Sequence, residues 1–484
     1  MASRPIPFIR LTPLLAAAAL AACSTAPVGP NYQLPPQALA SQPAAAKPFA
    51  GVDGKAPFSA QPLPEHWWRL YQNPQLDQLV EQALAHNTDL RQAVANLERV
   101  RSIETETGGA QKPTLAVKGG PEFGHVSGLS LLQEGYKPPN SYLYSASVGL
   151  SYQLDLFGQI HRAIEAAAAG SESAQAALDL VRVNVAASTA RAYAEVCSSG
   201  LRIAAAEKSV GLQKEAVDVS ERLQQAGRAG SIDAGRARGQ LQQLNATLPP
   251  LQAERQGALY RLATLTGALP QNFPRDVASC STPPEVAGTV PVGDGAALLR
   301  RRPDIRQAER NLAEATARIG VATGDLYPKI SFGLSAGSEG EAVGFGRKDT
   351  LSWGIGPLIS WTIPINGVVQ ARGALAKFDG TVLTALRETE TALDAYAREL
   401  DRHAALQAAR DENATVAEQA RQLYRNGKTG YLDSLDAERA LAASEAALAA
   451  SKAQMADDQV VLFLALGGGW EPDAAAQKAP AAAL

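Results

Sequence analysis

Residues 141–156 read SYLYSASVGLSYQLDL. The even positions (Tyr142, Tyr144, Ala146, Val148, Leu150, Tyr152, Leu154, Leu156) are apolar or aromatic. The odd positions are Ser, Gly, Gln or Asp, with Leu143 the one exception. A period of two places alternate side chains on opposite faces of a strand. A half-buried strand of a water-soluble sheet usually ends after five or six residues. A strand that crosses an outer membrane needs about ten, with apolar side chains facing lipid and polar ones facing the interior, and with aromatics at both ends. The segment has the length, the alternation and the aromatic placement of the second kind.

The second half of the chain repeats the pattern. Leu351, Trp353, Ile355, Ile359, Trp361 and Ile363 alternate with Ser352, Gly354, Gly356, Ser360 and Thr362, and Pro357 interrupts the run where a central strand would not tolerate it. A shorter run precedes each long one, at Leu115 and Val117 and again at Ile330, Phe332 and Leu334. Loops near 127–140 and 336–348 would close two hairpins, giving four strands per chain. Four strands cannot close a barrel, and an open edge in lipid leaves backbone groups unpaired. The expectation is therefore assembly with identical chains, three copies supplying twelve strands.

The rest reads as helix. Asp77 to Gln111 carries a 3.6-residue period through Leu79, Val80, Leu84, Leu90, Val94 and Leu97, and Pro113 ends it. Gln159 to Ala226 contains no proline, and a helix of that length spans on the order of 100 Å; Gln370 to Asn426 is similar. Two heptad stripes run down the first long helix, Ile203-Val210-Val217 and Leu212-Val219-Ala226, on opposite flanks, as in the wall of a tube. The last helix repeats the spacing at Leu441, Leu448, Met455 and Leu462. The chain is also an internal duplication: Leu223, Gly227, Gly230 and Asp233 recur as Leu423, Gly427, Gly430 and Asp433, 200 residues on. Pro113 and Pro328 precede matching strands, and Gly158 and Gly367 follow them.

The net charge of −3 leaves no electrostatic footprint for nucleic acid, and three cysteines are too few for a disulfide scaffold. No run of about 18 apolar residues follows the first thirty, which excludes a bundle of membrane helices. Residues 1–22 read as an export signal: Arg4 and Arg10, then an apolar stretch from Leu11, then Leu20-Ala21-Ala22-Cys23. Small residues before a Cys resemble the bacterial lipoprotein cleavage box, in which Cys23 becomes the lipidated first residue, and Ser24 suits routing to the outer membrane. Residues 24–64, rich in Pro, Ala and Gln, read as a tether, with order beginning near Trp67-Trp68. Cys197, in a helical run, is expected as a small buried hydrophobe; Cys280 lies in a Pro-rich loop, and a disulfide between the two stays open.

On these residues the chain resembles the outer membrane factor family, and most of all its nodulation-protein-T-like lipoprotein branch. The resemblance covers nearly all of residues 60–470. Its strongest piece is LLRRRPDIRQAE at 298–309, with LDLFG at 154–158, YRNG at 424–427, LDAER at 435–439 and ALGGGW at 465–470 in support. It implies an α + β membrane duct: a trimeric 12-stranded transmembrane β-barrel, four strands per chain, continuous with a long periplasmic α-helical barrel and internally duplicated. The implied segments are a signal at 1–22, a lipidated tether at 23–64, equatorial start and helix at 65–112, a first barrel hairpin at 113–158 and a first helical hairpin at 159–269. An equatorial linker at 270–302, a helix at 303–327, a second barrel hairpin at 328–366, a second helical hairpin at 367–466 and an equatorial tail at 467–484 complete it. Pro249-Pro250, awkward in a generic helix, is similar to this branch.

By the same resemblance the partners are a homotrimer, a periplasmic adaptor (membrane fusion protein), an inner membrane resistance-nodulation-division transporter acting through the adaptor, and outer membrane lipid. Gly227, Gly230, Gly427 and Gly430 mark the hairpin tips where the adaptor docks. The periplasmic gate falls on Leu432 and Asp436, with Arg439 one turn on, and on Ile232 and Arg236 in the first repeat; three copies of Asp436 at a narrow neck would repel, so Arg439 or Arg236 is expected to supply the counter-charge. Arg301, Arg302, Pro303 and Asp304 are expected to be structural, Pro303 starting a helix and Asp304 suiting its positive end. The implied function is passive conduction of small amphiphilic compounds from periplasm to exterior. A protein-secreting or metal-exporting duct of the same fold, and a coiled-coil spacer lipoprotein, are the alternatives.

Enzyme signals are weak. Gly333-Leu334-Ser335-Ala336-Gly337 matches a nucleophile elbow in letters, but no helix follows and the stretch is expected in an extracellular loop. Gly427-Lys428-Thr429 lacks the first glycine of a phosphate loop. The five histidines have no ligand spacing. No catalytic residue, cofactor or metal is expected.

Overall fold

The computed structural model describes residues 27–52, 57–286, 288–361 and 372–469. The export signal, Cys23, Ile363, Gly367 and Trp470 lie outside these residues. The chain divides into two compact units. One comprises 27–34, Glu98–Ala174 and Ala308–Ala376; the other comprises Pro35–Leu97, Gln175–Gln307 and the chain from Lys377 onward.

The first unit is built on one antiparallel sheet of four strands in sequence order: β1 (Thr114–Gly124), β2 (Ser141–Leu154), β3 (Lys329–Glu341) and β4 (Leu351–Ser360). The central pairing, β2 with β3, joins the two halves of the duplication. Register decides the chemistry of the two faces. Leu115, Leu150, Leu334 and Ile355 stand in one cross-strand row, and Val117, Val148, Ala336 and Trp353 in another. Between them lie Ala116, Gly149, Ser335 and Gly354, and then Lys118, Ser147, Gly337 and Ser352. All five charged residues of these strands (Lys118, Glu122, Lys329, Glu339, Glu341) fall on the Ser/Gly face, and the aromatics Phe123, Tyr142, Tyr144, Tyr152, Phe332 and Trp353 on the other. Among the described residues nothing covers the apolar face: Trp353 is 79% exposed and Val117 73%.

Gly333–Gly337 lies inside β3, not in a loop as expected, because its glycines and Ser335 continue the small-residue face of the sheet. Pro357 is accommodated because β4 is an edge strand within the chain; Pro121, in β1, occupies the other edge.

In the second unit one expected helix is broken in two. The helix expected over 77–111 is two, α1 (Pro74–His86) and α2 (Thr88–Gly108), broken at Asn87. The Asn87 side chain accepts from the amides of Asp89 and Leu90, a cap for α2, and donates to the Leu265 carbonyl at 3.1 Å. The long helix α3 (Gln159–Gln225) forms as read. After it come α4 (Ser231–Asn245) and α5 (Leu248–Leu265), and Pro249-Pro250 falls in the first turn of α5, where amide donors have no intrahelical acceptor to lose. The short α6 (Gly295–Arg301) leads into α7 (Pro303–Gly324), and α8 (Arg372–Arg425) and α9 (Tyr431–Ala465) complete the second repeat.

The expected free tether is instead a docked strap over the residues described. Phe49 is 2% exposed and Ala38 fully buried. The Leu39 amide donates to Asp379 at 2.9 Å, and the amides of Ala50 and Gly51 donate to Glu390. The first amides of these short 3₁₀ turns have no acceptor within the turn, and they find carboxylates on α8.

The core of this unit gathers Trp67, Trp68, Leu76, Tyr193, Leu259, Leu262 and Phe463. The Arg301-Arg302 pair knits its margins. Arg301 donates to the carbonyls of Leu63, Pro64 and Gly467, and Arg302 to the Ala465 carbonyl, Asp304 and Glu388. Cys197, fully buried, is not a free hydrophobe: it is bonded to Cys280 across 83 residues of sequence. The loop lies so close to α3 that a Cβ at Gly200 would fall 2.0 Å from the Cys280 carbonyl oxygen.

Two outcomes follow. In the chain-entropy description a crosslink of this span contributes about 4–5 kcal/mol. Cys280→Ser or reduction should therefore lower the denaturation midpoint of the helical unit, read by circular dichroism with and without reductant. On the sheet, Trp353→Arg should cost about 2–4 kcal/mol of stability in lipid. Ser335→Arg, on the opposite face, should cost far less in the same lipid-unfolding titration.

Candidate functional site

The two helical hairpins of the second unit turn by the same device. At the end of α3, Gly227 adopts φ +71°, its amide donates to the Gln224 carbonyl at 3.0 Å, and the Arg228 amide donates to the Leu223 carbonyl at 2.8 Å. At the end of α8, Gly427 has φ +68°, with Gly427 donating to Tyr424 at 2.9 Å and Lys428 to Leu423 at 2.9 Å. Both are left-handed glycine C-caps, a conformation that strains any residue with a Cβ. Gly230 and Gly430 differ: they have ordinary negative φ and stand at the N-caps of α4 and α9. The duplicated Gly-x-x-Gly thus has one glycine for the reversal and one for the restart.

Just past each restart sit the expected gate residues. Ile232 is 68% and Leu432 48% exposed, two large apolar side chains at matching places without cover among the described residues. Asp436, one turn on, is exposed, and among the described residues it forms no ion pair within the chain. Its expected counter-charges are engaged elsewhere: Arg439 donates to the Gln240 side chain at 2.9 Å, and Arg236 lies 3.9 Å from Asp233. Arg439 therefore ties α9 to α4 and does not neutralise Asp436.

A set of buried polar contacts in this region carries no motif in the sequence. Arg421, on α8, donates to Glu438, on α9, at 3.3 Å, with both side chains largely buried. Seven residues on, Glu445 is reached by Lys208 of α3 at 2.7 Å and by Arg410 of α8 at 3.5 Å. Gln213, 3% exposed, donates to the Ala237 carbonyl at 3.0 Å and to the Tyr431 hydroxyl at 3.4 Å, and the rings of Tyr424 and Tyr431 meet at 5.4 Å. These contacts join α3, α4, α8 and α9 into one interlock. The available signal was a pair of acids at heptad spacing, Glu438 and Glu445, with Leu441, Ala442, Leu448 and Ala449 three and four residues away on the same helix. Burial pushes the Glu438 carboxyl above its usual range, and Arg421 pulls it partly back.

The first unit offers the other functional geometry: a sheet apolar on one face and polar on the other, whose outer strands β1 and β4 each pair with a single neighbour in the chain.

The sequence matches the outer membrane efflux protein family over residues 79–268 and 296–468. The chain belongs to that family. The two matched stretches are the two halves of the duplication, and the efflux protein is an outer membrane component. It is similar to nodulation protein T of Rhizobium leguminosarum bv. trifolii, 29% identical over 466 residues, 93% of this chain and 96% of that protein. It is similar to the toluene efflux pump outer membrane protein TtgC of Pseudomonas putida, 28% identical over 460 residues, 91% of this chain and 92% of that protein. Among solved structures, the outer-membrane channel OprN superposes with a TM-score of 0.83 at 33% identity, covering 92% of this chain and all of that one.

The Arg421–Glu438 contact yields a signed test. A carboxyl held above its ordinary value makes the native state bind more protons than the unfolded chain just above the usual carboxylate range, so this group's contribution is lost as pH rises through the folded value. Acidification from about pH 7 to about pH 5 should protect residues 418–440 from hydrogen exchange, and Glu438→Gln should remove that dependence. Arg421→Ala leaves a buried acid without its partner and should loosen the same segment by about 3 kcal/mol at neutral pH.

Proposed function

We propose that three copies of this chain close into a twelve-stranded barrel in the outer membrane, and that the assembly conducts small amphiphilic compounds passively from periplasm to exterior. The observation that carries this reading is the sheet of the first unit. Its apolar face is exposed, its polar and charged face is the opposite one, and β1 and β4 have free edges. Hydrocarbon does not tolerate unpaired peptide groups, so those edges must meet edges of other chains. In a closed barrel the Ser/Gly face lines the lumen, where small side chains leave room for passage.

The helical hairpin tips are the surface offered to a periplasmic adaptor, with Gly227, Gly230, Gly427 and Gly430 setting the shape of each tip. An inner membrane transporter of the resistance-nodulation-division type supplies the energy through that adaptor. Cys23 carries the lipid. The periplasmic end narrows at Leu432 and Ile232 and at Asp436, and Arg236 adds charge of opposite sign in the first repeat. Three Asp436 carboxylates facing one another across the neck would repel, and the interlock centred on Arg421, Glu438 and Glu445 holds the helices together against that repulsion. Substrates in the class of toluene suit the reading, given the named role of the Pseudomonas putida relative.

Planar-bilayer conductance of the purified protein tests both parts. The wild type should conduct poorly at rest, and Asp436→Ala should conduct several-fold more. An unchanged resting state in the variant would remove Asp436 from the gate. Absence of conductance in either protein, together with a monomeric mass in lipid, would end the duct reading.

A further inference from the structure

In the first unit, one arginine is buried against a segment near the N-terminus. Arg162 lies in the first turn of α3 and is 2% exposed. Its Nε donates to the Val28 carbonyl at 3.0 Å. Its Nη2 is shared among the Pro27 carbonyl at 3.3 Å, the Gly29 carbonyl at 3.1 Å and the Asn31 side-chain oxygen at 2.6 Å. Nη1 is held by Glu165 at 2.6 Å. A guanidinium presents five donors in a fixed fork and cannot shed its charge, so its burial requires acceptors on several sides. Four of those used here belong to residues 27–31.

The seat beneath this segment is shaped for backbone. Val28 donates to the Phe157 carbonyl at 3.0 Å. Gly29 has φ +85°, and a Cβ there would lie 2.5 Å from the Cα of Gly320. A Cβ on Gly320 would in turn strike the Arg162 side chain at 2.6 Å, and one on Gly158 would strike Pro27 at 2.5 Å. Tyr32 then donates to Glu309 at 3.4 Å beneath the guanidinium of Arg310. Three stretches of chain meet at this point: 27–32, the β2–α3 junction and α7. Beside them the Phe157 and Tyr327 rings stack at 4.5 Å.

We infer that Arg162 is a positioning residue that moors the lipid anchor to the junction between strand and helix. The inference rests on the reading of Cys23 as the lipidated residue. Cys23 precedes Pro27 by four residues, which cover at most about 14 Å when extended. A strap locked at Pro27–Asn31 therefore delivers the acyl chains beside the end of the sheet, and the pull of the anchor on the membrane is transmitted to β2 and α3 through the Arg162 contacts. Arg162 recognises carbonyl oxygens, so the contact depends on the path of the strap more than on its side chains. Without the lock, the lipid would hold the chain to the membrane by a free tail and would no longer hold the sheet at membrane depth.

The test is a double-mutant cycle in the full-length, exported protein, comparing wild type, Arg162→Gln, Cys23→Ser with an ordinary cleavage site, and the double variant. The readout is the fraction inserted as detergent-resistant oligomer. Arg162→Gln and Cys23→Ser should each lower that fraction several-fold, and the double variant should fall no further than Cys23→Ser alone. Multiplying effects would show that Arg162 acts independently of the anchor and would overturn the inference.

Hydrogen exchange at residues 27–34 should rise sharply in Arg162→Gln, while the melting of the core around Trp67 stays put; continued protection of the strap would overturn the inference too. Arg162→Lys, with one donor centre in place of a fork, should fall between wild type and Arg162→Gln. If Arg162→Gln fails to fold, Gly29→Ala unseats the strap from the other side and is expected to give the same pattern. Palmitate labelling of the wild type fixes the premise, and an unlabelled protein would sink it. Conductance of inserted Arg162→Gln should equal that of wild type, which separates failure of the mooring from failure of the duct.

Discussion

A peptide N–H or C=O that faces hydrocarbon without a partner costs several kcal/mol, and β1 and β4 each present a row of such groups. Those rows constrain the rest of the molecule. They make the single chain an incomplete object in lipid, and they explain the distribution of side chains about the sheet. Once closure is imposed, one face is committed to lipid and the other to the lumen. A single charge on the wrong face is costly there, and all five charges of the strands are on the Ser/Gly face. The prolines obey the same constraint. Pro121 and Pro357 occupy the two outer strands of the sheet, and the central strands β2 and β3 carry none.

The helical hairpins show what duplication preserves and what it leaves free. The left-handed glycine caps at Gly227 and Gly427 are nearly superimposable in dihedral angle and hydrogen bonding, because the reversal of two antiparallel helices admits few solutions. The contacts beyond the turn are not duplicated. The second repeat places Glu438 and Glu445 inside the helix seam, where Arg421, Lys208 and Arg410 reach them; the first repeat has Arg238 reaching Glu221 at 2.9 Å on an exposed face. One hairpin is therefore gripped by buried charge and the other by solvated charge. Exposed pairs are worth little and exchange easily, whereas breaking a buried one leaves an uncompensated group.

Several parts of this structure were legible from residue order because the signal was local and periodic. The period of two at 141–156 identified a strand too long for a soluble sheet, and the proline-free run from Gln159 identified a helix of unusual length. The 200-residue repeat of Leu-Gly-Gly-Asp located both hairpin tips. The misreadings share a cause. Asn87 breaks a helix whose apolar period continues through it, since its side chain caps the next helix and bonds to Leu265, far away in sequence. The segment after Pro27 is a docked strap because Asp379, Glu390 and Arg162 bind its backbone, and no property of the strap's own residues reveals those partners. Arg439 turns to Gln240 and away from Asp436 for the same reason: the choice between acceptors is made by a neighbouring helix.

Sequence alone determined the long helices, the duplication and the amphipathic strands, because each is written in spacings shorter than about two helical turns or in a direct internal repeat. Only the tertiary structure decided the Cys197–Cys280 bond, the Arg421–Glu438 and Glu445 contacts, and the lodging of Pro27–Asn31 against Arg162. Those features join segments tens to hundreds of residues apart. Which buried polar group meets which partner depends on how the helices pack, and a one-dimensional pattern carries no record of that choice.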